Sequence, residues 1–425
     1  MAQLTSSQIV MGSGLSGAAD AAAATRQACA EAQAGLGEVR PNIAFLFYCG
    51  PHAASAAAIA EAARDALSGA LTIGAPAESI VGGRVELERG PGVSVLAARL
   101  DGVRTHAFDA SSLLPLSTPE AERKDVAAAI GADGDDHRAT LLFADALSFP
   151  VASLLPAINR ALADRRGAGA AGPVFGGLAS GAERRGQRSF ILDGRLVRAG
   201  VGLTLSGAVS VDTVVSQGCR PLGPNMVVTG ARDNLIVSLG GRRALDAIRE
   251  IVDAAPESDR RLLRRGMCVG RVINEYKERF GRDDYLMRNI VGADEDTGAV
   301  ATSDFFRVGQ TVRLHLRDAD TAHEDLELLL DGQALHARPA GGLLVTCASR
   351  GQRLFREPSH DAETIMRAFD GSRARAPAVG AAPRLGPMPM AGMFGAGEIA
   401  PLGSQSYVHG HTACLALFRA PRREP

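Results

Sequence analysis

The chain has 425 residues, 46% of them apolar and 22% charged, with a formal net charge of −1. That is long enough for two domains with sizeable cores. It argues against nucleic acid and anionic membranes as partners, because no long run of one charge sign exists. No apolar run reaches the roughly 18 residues of a membrane span. The six cysteines, Cys29, Cys49, Cys219, Cys268, Cys347 and Cys414, are dispersed and form no CxxC pair. Neither a zinc site nor a disulfide framework is expected. With no evident leader pattern, reduced thiols and a cytoplasmic location are the expectation.

In chain order, the Ala-rich stretch Ala18–Ala34 predicts a helix ending near Gly35 or Gly37, within an N-terminal helical extension over 1–40. Asn42–Cys49 reads as a buried strand, His52–Leu67 as a helix and Leu71–Gly74 as a strand. A Gly-rich loop from Ala75 to Gly83 carries Glu78, and Val93–Leu100 is a further strand. A linker over 109–137 contains a polar helix, Pro119–Ile130. The pattern then returns: strand Thr140–Ala144, helix Pro150–Leu162, strand Pro173–Phe175, and a Gly-rich turn carrying Gly176, Gly177, Ser180 and Gly181. A hairpin with Asp193-Gly194 at its tip and strands Val201–Leu205 and Val209–Val215 complete a β-rich half.

A domain boundary is expected near 230–240, dividing 41–235 from 236–420. Beyond it come a helix at Arg242–Val252, strands at Met267–Ile273 and Arg288–Val291, a strand region at Phe305–Leu316 and an amphipathic helix at Ala319–Leu330. The strand–helix–strand pattern then appears a third time as Leu343–Cys347, Asp361–Phe369 and Met390–Phe394. Residues 371–387 read as a mobile surface loop. The third Gly-rich turn carries Gly397 and Glu398, and Thr412–Phe418 closes the chain. Cys49 and Cys347 both end a first strand, and Gly83 and Gly403 each follow a glutamate, Glu78 or Glu398, by five residues. An internal duplication follows, within a mixed α/β fold of extended β-sheets flanked by helices. If the repeats pack pseudo-symmetrically, their Gly-rich turns converge on one cleft at the strand ends.

Several long stretches resemble the FIST family, with an N-terminal and a C-terminal FIST domain. They are Leu141–Pro150, Phe175–Gly181, Val215–Pro224, Arg307–Asp318, Ser359-His-Asp361 and residues 388–418 ending in His409-Gly-His-Thr412. The resemblance spans about 41–420. It implies an intracellular sensory module that binds a small ligand, an amino acid among the candidates, and acts with a signalling-protein partner. Relatives read Cys-Asn-Gly-Arg-Gly where this chain reads Cys347-Ala-Ser-Arg350-Gly351. They read Gly-Glu-Ile-Gly-Pro where it reads Gly397-Glu398-Ile399-Ala400-Pro401. The lost amide and the added Cβ bear on ligand identity.

Cys347, Arg350, His360, Asp361, Glu398 and His409 form a candidate polar constellation. Cys347 as a nucleophile with His360 or His409 as base is one reading, and a buried strand-end thiol is the favoured one. Asp361 reads as the N-cap of its helix. Glu398 and Arg350 suit the two charges of an amino acid, or else pair with each other. Arg220 reaches a cleft or ties its tight loop, Cys219–Pro224, to the sheet, the latter preferred. His409 and His411 lack a clear third ligand for a metal. Gly176, Gly177 and Ser180 offer backbone N–H groups to an anion, yet make no Walker or Rossmann fingerprint, so no cofactor is expected. The reading is a non-catalytic small-ligand sensor. The alternatives are a scaffold with an apolar patch over 371–394 and a Cys347-dependent hydrolase or transferase.

Overall fold

The structure is a computed structural model that describes residues 8–118, 122–163, 172–181, 184, 187–263, 266–370 and 386–421. In chain order the first half runs β1 (Ile9–Ser16), α1 (Ala21–Leu36), β2 (Ile43–Cys49), α2 (Ala56–Ala66), β3 (Leu71–Ala77), β4 (Ile80–Gly82), β5 (Val85–Leu87), β6 (Gly92–Leu100) and β7 (Val103–Asp109). It continues with α3 (Arg123–Ala129), β8 (His137–Asp145), α4 (Val151–Ala163), β9 (Val174–Ala179), β10 (Phe190–Leu192), β11 (Arg195–Val197), β12 (Gly200–Gly207) and β13 (Ser210–Gln217). Then come β14 (Cys219–Arg232), β15 (Leu235–Leu239), β16 (Arg242–Arg243), α5 (Ala244–Asp253), α6 (Glu257–Leu263), β17 (Met267–Val272), β18 (Tyr285–Ala293), β19 (Val300–Thr302), β20 (Thr311–Arg317) and α7 (Ala319–Ala334). The chain closes with β21 (Gly341–Cys347), α8 (His360–Phe369), β22 (Met390–Leu402), β23 (Gln405–His409) and β24 (Thr412–Arg419). This is the mixed helix-and-sheet architecture expected from sequence.

Two compact units emerge. The first takes residues up to Val215, Leu326–Val408 and those from Ala413 on; the second takes Ser216–Asp325 and His409–Thr412. The first unit contains two sheets. One runs β1, β6, β2, β3, β10, β11; the other runs β13, β24, β21, β22, β9, β8, β12, β7, with the β4–β5 hairpin and β23 attached at β22. Their facing sides share one core, which includes Phe45, Phe47, Phe143, Phe175, Val345 and Met393. On the outer faces, α1 and α2 cover the first sheet, and α3, α4 and α8 cover the second. Burial on both faces is why β2 and the Leu343–Val345 stretch of β21 read as apolar runs rather than alternating ones.

The second unit is an antiparallel sheet in the order β14, β20, β17, β18, β19, β15, β16, and β14 also pairs with β15, closing a ring. α5 lays Ala244, Ala247 and Ile248 on its core.

Three strand–helix–strand repeats appear as three parallel pairs, β2–β3, β8–β9 and β21–β22. Their registers match at the ends: Cys49 lies opposite Ala77, Asp145 opposite Ala179 and Cys347 opposite Gly395.

Several expectations need correction. The first helix starts at Ala21, capped by the Asp20 carboxylate accepting from the Ala23 N–H at 2.7 Å, and it is preceded by β1 in the stretch expected to be helical. β1 escaped notice because Gly12 and Gly14 break its apolar pattern. A Cβ on either would lie 2.0 or 2.1 Å from the Ala32 or Ala28 carbonyl oxygen, so these glycines let the Ala-rich α1 lie directly on the strand. Gly176, Gly177, Gly397 and Glu398 are not in turns but inside β9 and β22, where Glu398 faces Gly177. The tight loop expected at Cys219–Pro224 is the start of β14, whose register shift between Leu222 and Met226 absorbs the Pro and Gly residues. Most of the surface loop expected over 371–387, and with it most of the apolar patch, lies outside the described residues, as do residues 119–121 of the expected polar helix.

Candidate functional site

Parallel strands end on the same side of a sheet, and ligands of α/β proteins gather there. In the first unit the ends of the three repeats are joined by hydrogen bonds. The Ser180 hydroxyl accepts from the Glu78 N–H at 2.9 Å and donates to the Phe394 carbonyl at 2.5 Å. The Phe394 N–H in turn donates to the Ser79 carbonyl at 2.9 Å. The ends of the three repeats therefore meet at Ser180.

Beside this junction is a polar cavity of about 210 Å³, lined by Glu78, Ser79, Glu88, Arg89, Gln352 and Arg353 together with Ala348 and Phe394. Arg353 spans it: one terminal nitrogen lies 2.7 Å from Glu78 Oε1 and the other donates to the Ala348 carbonyl at 2.7 Å. Glu88 accepts the Gln352 N–H with both oxygens, at 3.0 and 3.1 Å, and burial raises its pKa. Two glutamates and two arginines thus line one small space, with residues of both charge signs.

Next to the cavity, Arg350 and Asp361 form a fully buried pair. Nε and Nη2 each donate at 2.8 Å to a different carboxylate oxygen. Thr346 Oγ1 donates to Asp361 at 3.0 Å, and His360 Nδ1 lies 3.2 Å from its other oxygen while its ring stacks on Phe355. Asp361 is not the N-cap of α8. Ser359 holds that position, and Asp361 turns inward to Arg350, because a buried guanidinium needs a carboxylate more than an exposed helix end does. Arg350 is correspondingly paired with Asp361, not with Glu398.

The β4–β5 hairpin lies against the same segment. Glu86 accepts the Ala362 N–H at 2.9 Å, its own N–H donates to Ser359 Oγ at 3.0 Å, and its pKa is raised to about 8 by burial and then by the Asp361 charge.

Of the residues singled out in the sequence, Glu78 and Ser180 meet at the junction, and Gly176, Gly177, Gly397 and Glu398 form the paired strands leading from it. Glu398 is completely buried. Cys347 ends β21 as expected but is half-buried rather than buried, with Sγ 3.1 Å from Ser349 Oγ. His409 is buried at the end of β23. Arg220, in the second unit, bridges Asp259 at 2.8 Å and Asp318 at 3.2 Å, which is the structural role. His411 Nε2 there lies 2.6 Å from Asn289 Oδ1. Sequence reasoning missed Glu86, Glu88, Arg89 and Arg353. The signal available was a concentration of charge, Glu86-Leu-Glu-Arg89, in a hairpin between buried strands.

Residues 42–242 match the FIST N domain model and residues 244–401 the FIST C domain model. An uncharacterized protein of Mycobacterium tuberculosis is 36% identical over 411 residues, covering 96% of this chain and 99% of the relative. An uncharacterized protein of Mycobacterium bovis is 34% identical over 414 residues, covering 96% of this chain and 98% of the relative. Among the described residues no helix is long and apolar enough to cross a membrane.

Proposed function

This chain belongs to the FIST family, whose domains are associated with sensory signal transduction, and from that premise we propose that it is a non-catalytic sensor of a small polar ligand. The observation that carries the reading is the cavity beside the junction of the repeats, lined by Glu78, Glu88, Arg89 and Arg353. A space of about 210 Å³ suits a molecule of amino-acid size, and a lining of both signs suits a zwitterion. Because the cavity is lined by residues of the first and third repeats, far apart in sequence, occupancy tightens contacts between those two. That gives the ligand a way to alter the surface presented to a signalling partner. A cytoplasmic location is part of the same proposal.

The test is thermal unfolding of the purified protein against a panel of amino acids and small carboxylates. A ligand at 100 times its dissociation constant stabilises by about 2.7 kcal/mol. Arg353→Met and Glu88→Gln are expected to shrink the shift given by a ligand of the cavity while leaving the fold intact. A flat panel, or a shift indifferent to both variants, would reject the cavity as the site and favour a protein-binding scaffold.

A further inference from the structure

A second group of charges lies at the same strand ends, on residues that the cavity does not use. Arg188 is 6% exposed and Asp145 1% exposed. Arg188 Nε and Nη1 and Asp145 Oδ1 are buried without a hydrogen-bond partner. Asp145 ends β8, opposite Ala179 in the parallel register, and its other oxygen accepts from Ser148 Oγ. Arg188 is positioned by its neighbour: the Tyr48 hydroxyl, near the end of β2, donates to the Ser189 carbonyl. Gly181 makes room for it, since a Cβ there would lie 2.5 Å from Arg188 Nη2 and 3.0 Å from Glu78 Cβ. The first and second repeats therefore jointly position the guanidinium.

A guanidinium cannot shed its proton to escape burial, and an ionised carboxylate left with an unpartnered oxygen is equally costly. Burial acts to lower the Arg188 pKa, and Asp145, Tyr48 and Glu78 act electrostatically against it. Arg188 and Asp145 thus feel each other's charge while each keeps unmatched capacity: donors on one, an acceptor on the other. What satisfies both is a molecule that presents an oxyanion and a hydrogen-bond donor together.

We propose that Arg188 and Asp145 form a binding seat, separate from the Arg353 cavity, for a small oxyanion that carries its own hydrogen-bond donor. The oxyanion accepts from an unpartnered Arg188 donor, Nε or Nη1, and its own donor, a hydroxyl or an ammonium, reaches Asp145 Oδ1. Hydroxycarboxylates, aminocarboxylates and monohydrogen or dihydrogen phosphate share this chemistry. A simple carboxylate lacks the donor and leaves Asp145 unmatched.

Calorimetric titration of the full chain with L-lactate, L-alanine, inorganic phosphate and propionate tests the seat. At least one of the first three is expected to bind at least about tenfold more tightly than propionate, since a site built to accept a donor rejects the analogue without it. The tightest of the three names the source. Arg188→Met is expected to abolish binding. Arg188→Lys, which keeps the charge but not the guanidinium donors, should weaken it, and Asp145→Ala should erase the preference over propionate. Circular dichroism checks the fold, and Arg188→Lys carries the test should Arg188→Met fail to fold. Arg353→Met is expected to leave these affinities unchanged. No binding by any of the four probes would overturn the seat. So would wild-type affinity in both Arg188 variants, or loss of binding in Arg353→Met with Arg188→Lys unaffected. That last result would leave the cavity reading standing.

Discussion

Arg350 holds Asp361 side-on, with two 2.8 Å hydrogen bonds to different oxygens and no exposed surface on either side chain. Removing one partner strands the other charge in the core. Arg350→Met is therefore expected to cost about 3–5 kcal/mol, while the double variant Arg350→Met, Asp361→Leu recovers much of the loss. Denaturant unfolding of both variants checks this.

The same pair sets an acid limit. Burial alone would raise the Asp361 pKa, but the Arg350 guanidinium, aided by His360, outweighs it and holds the carboxyl well below the usual carboxylate range. A depressed folded pKa contributes stability that is fully present above the unfolded value of about 4 and is lost as pH falls below it. Unfolding followed from pH 6 to pH 2 should show this decline, and Asp361→Asn should flatten it.

Glu86 works in the opposite direction. Its pKa is raised to about 8 from an ordinary 4.5, by burial first and by Asp361 second. A raised folded pKa means full stabilisation below 4.5, declining as pH rises through about 8. Glu86→Gln keeps an acceptor for the Ala362 N–H without the charge. It is expected to be more stable than wild type at pH 9 by about 1 kcal/mol or more, with little difference at pH 4. Equal stabilities at pH 9 would contradict a buried charge at this position.

Ser180→Ala removes the hydroxyl that joins the Glu78 N–H to the Phe394 carbonyl. The expected loss is about 1–3 kcal/mol, because both backbone groups lose a partner at once. If the cavity binds the ligand, affinity for it should fall as well, measured by calorimetry on the folded variant.

Gly12→Ala is expected to destabilise by about 1–3 kcal/mol or more, since its Cβ would lie 2.0 Å from the Ala32 carbonyl oxygen of α1. Gly17→Ala is the control: its nearest neighbour lies at 3.7 Å, and its thermal midpoint should move little.

The three repeats were legible because a strand buried on both faces writes itself as an apolar run, as in Ile43–Cys49 and Leu343–Val345. β1 and the start of β14 were not. In the first, glycines serve contact with a helix; in the second, prolines and a glycine are absorbed by a register shift. Both break the local pattern for a reason located elsewhere in the chain. The candidate site was half legible: Glu78 and Ser180 stand out as polar residues at Gly-rich strand ends, whereas Arg353 and Glu88 look like ordinary surface charges.

By itself the sequence determined many of the strands and helices, their threefold recurrence and the family, because those rest on local periodicity and motif order. Only the tertiary structure decided the partnerships. Glu78 and Ser180 are 102 residues apart, Ser180 and Phe394 are 214 apart, and Asp361 is claimed by Arg350 rather than by its own helix end. Charge and hydrogen-bonding capacity are written residue by residue, but the partner is chosen by burial. A buried group must take whatever complement the packed strands bring within reach.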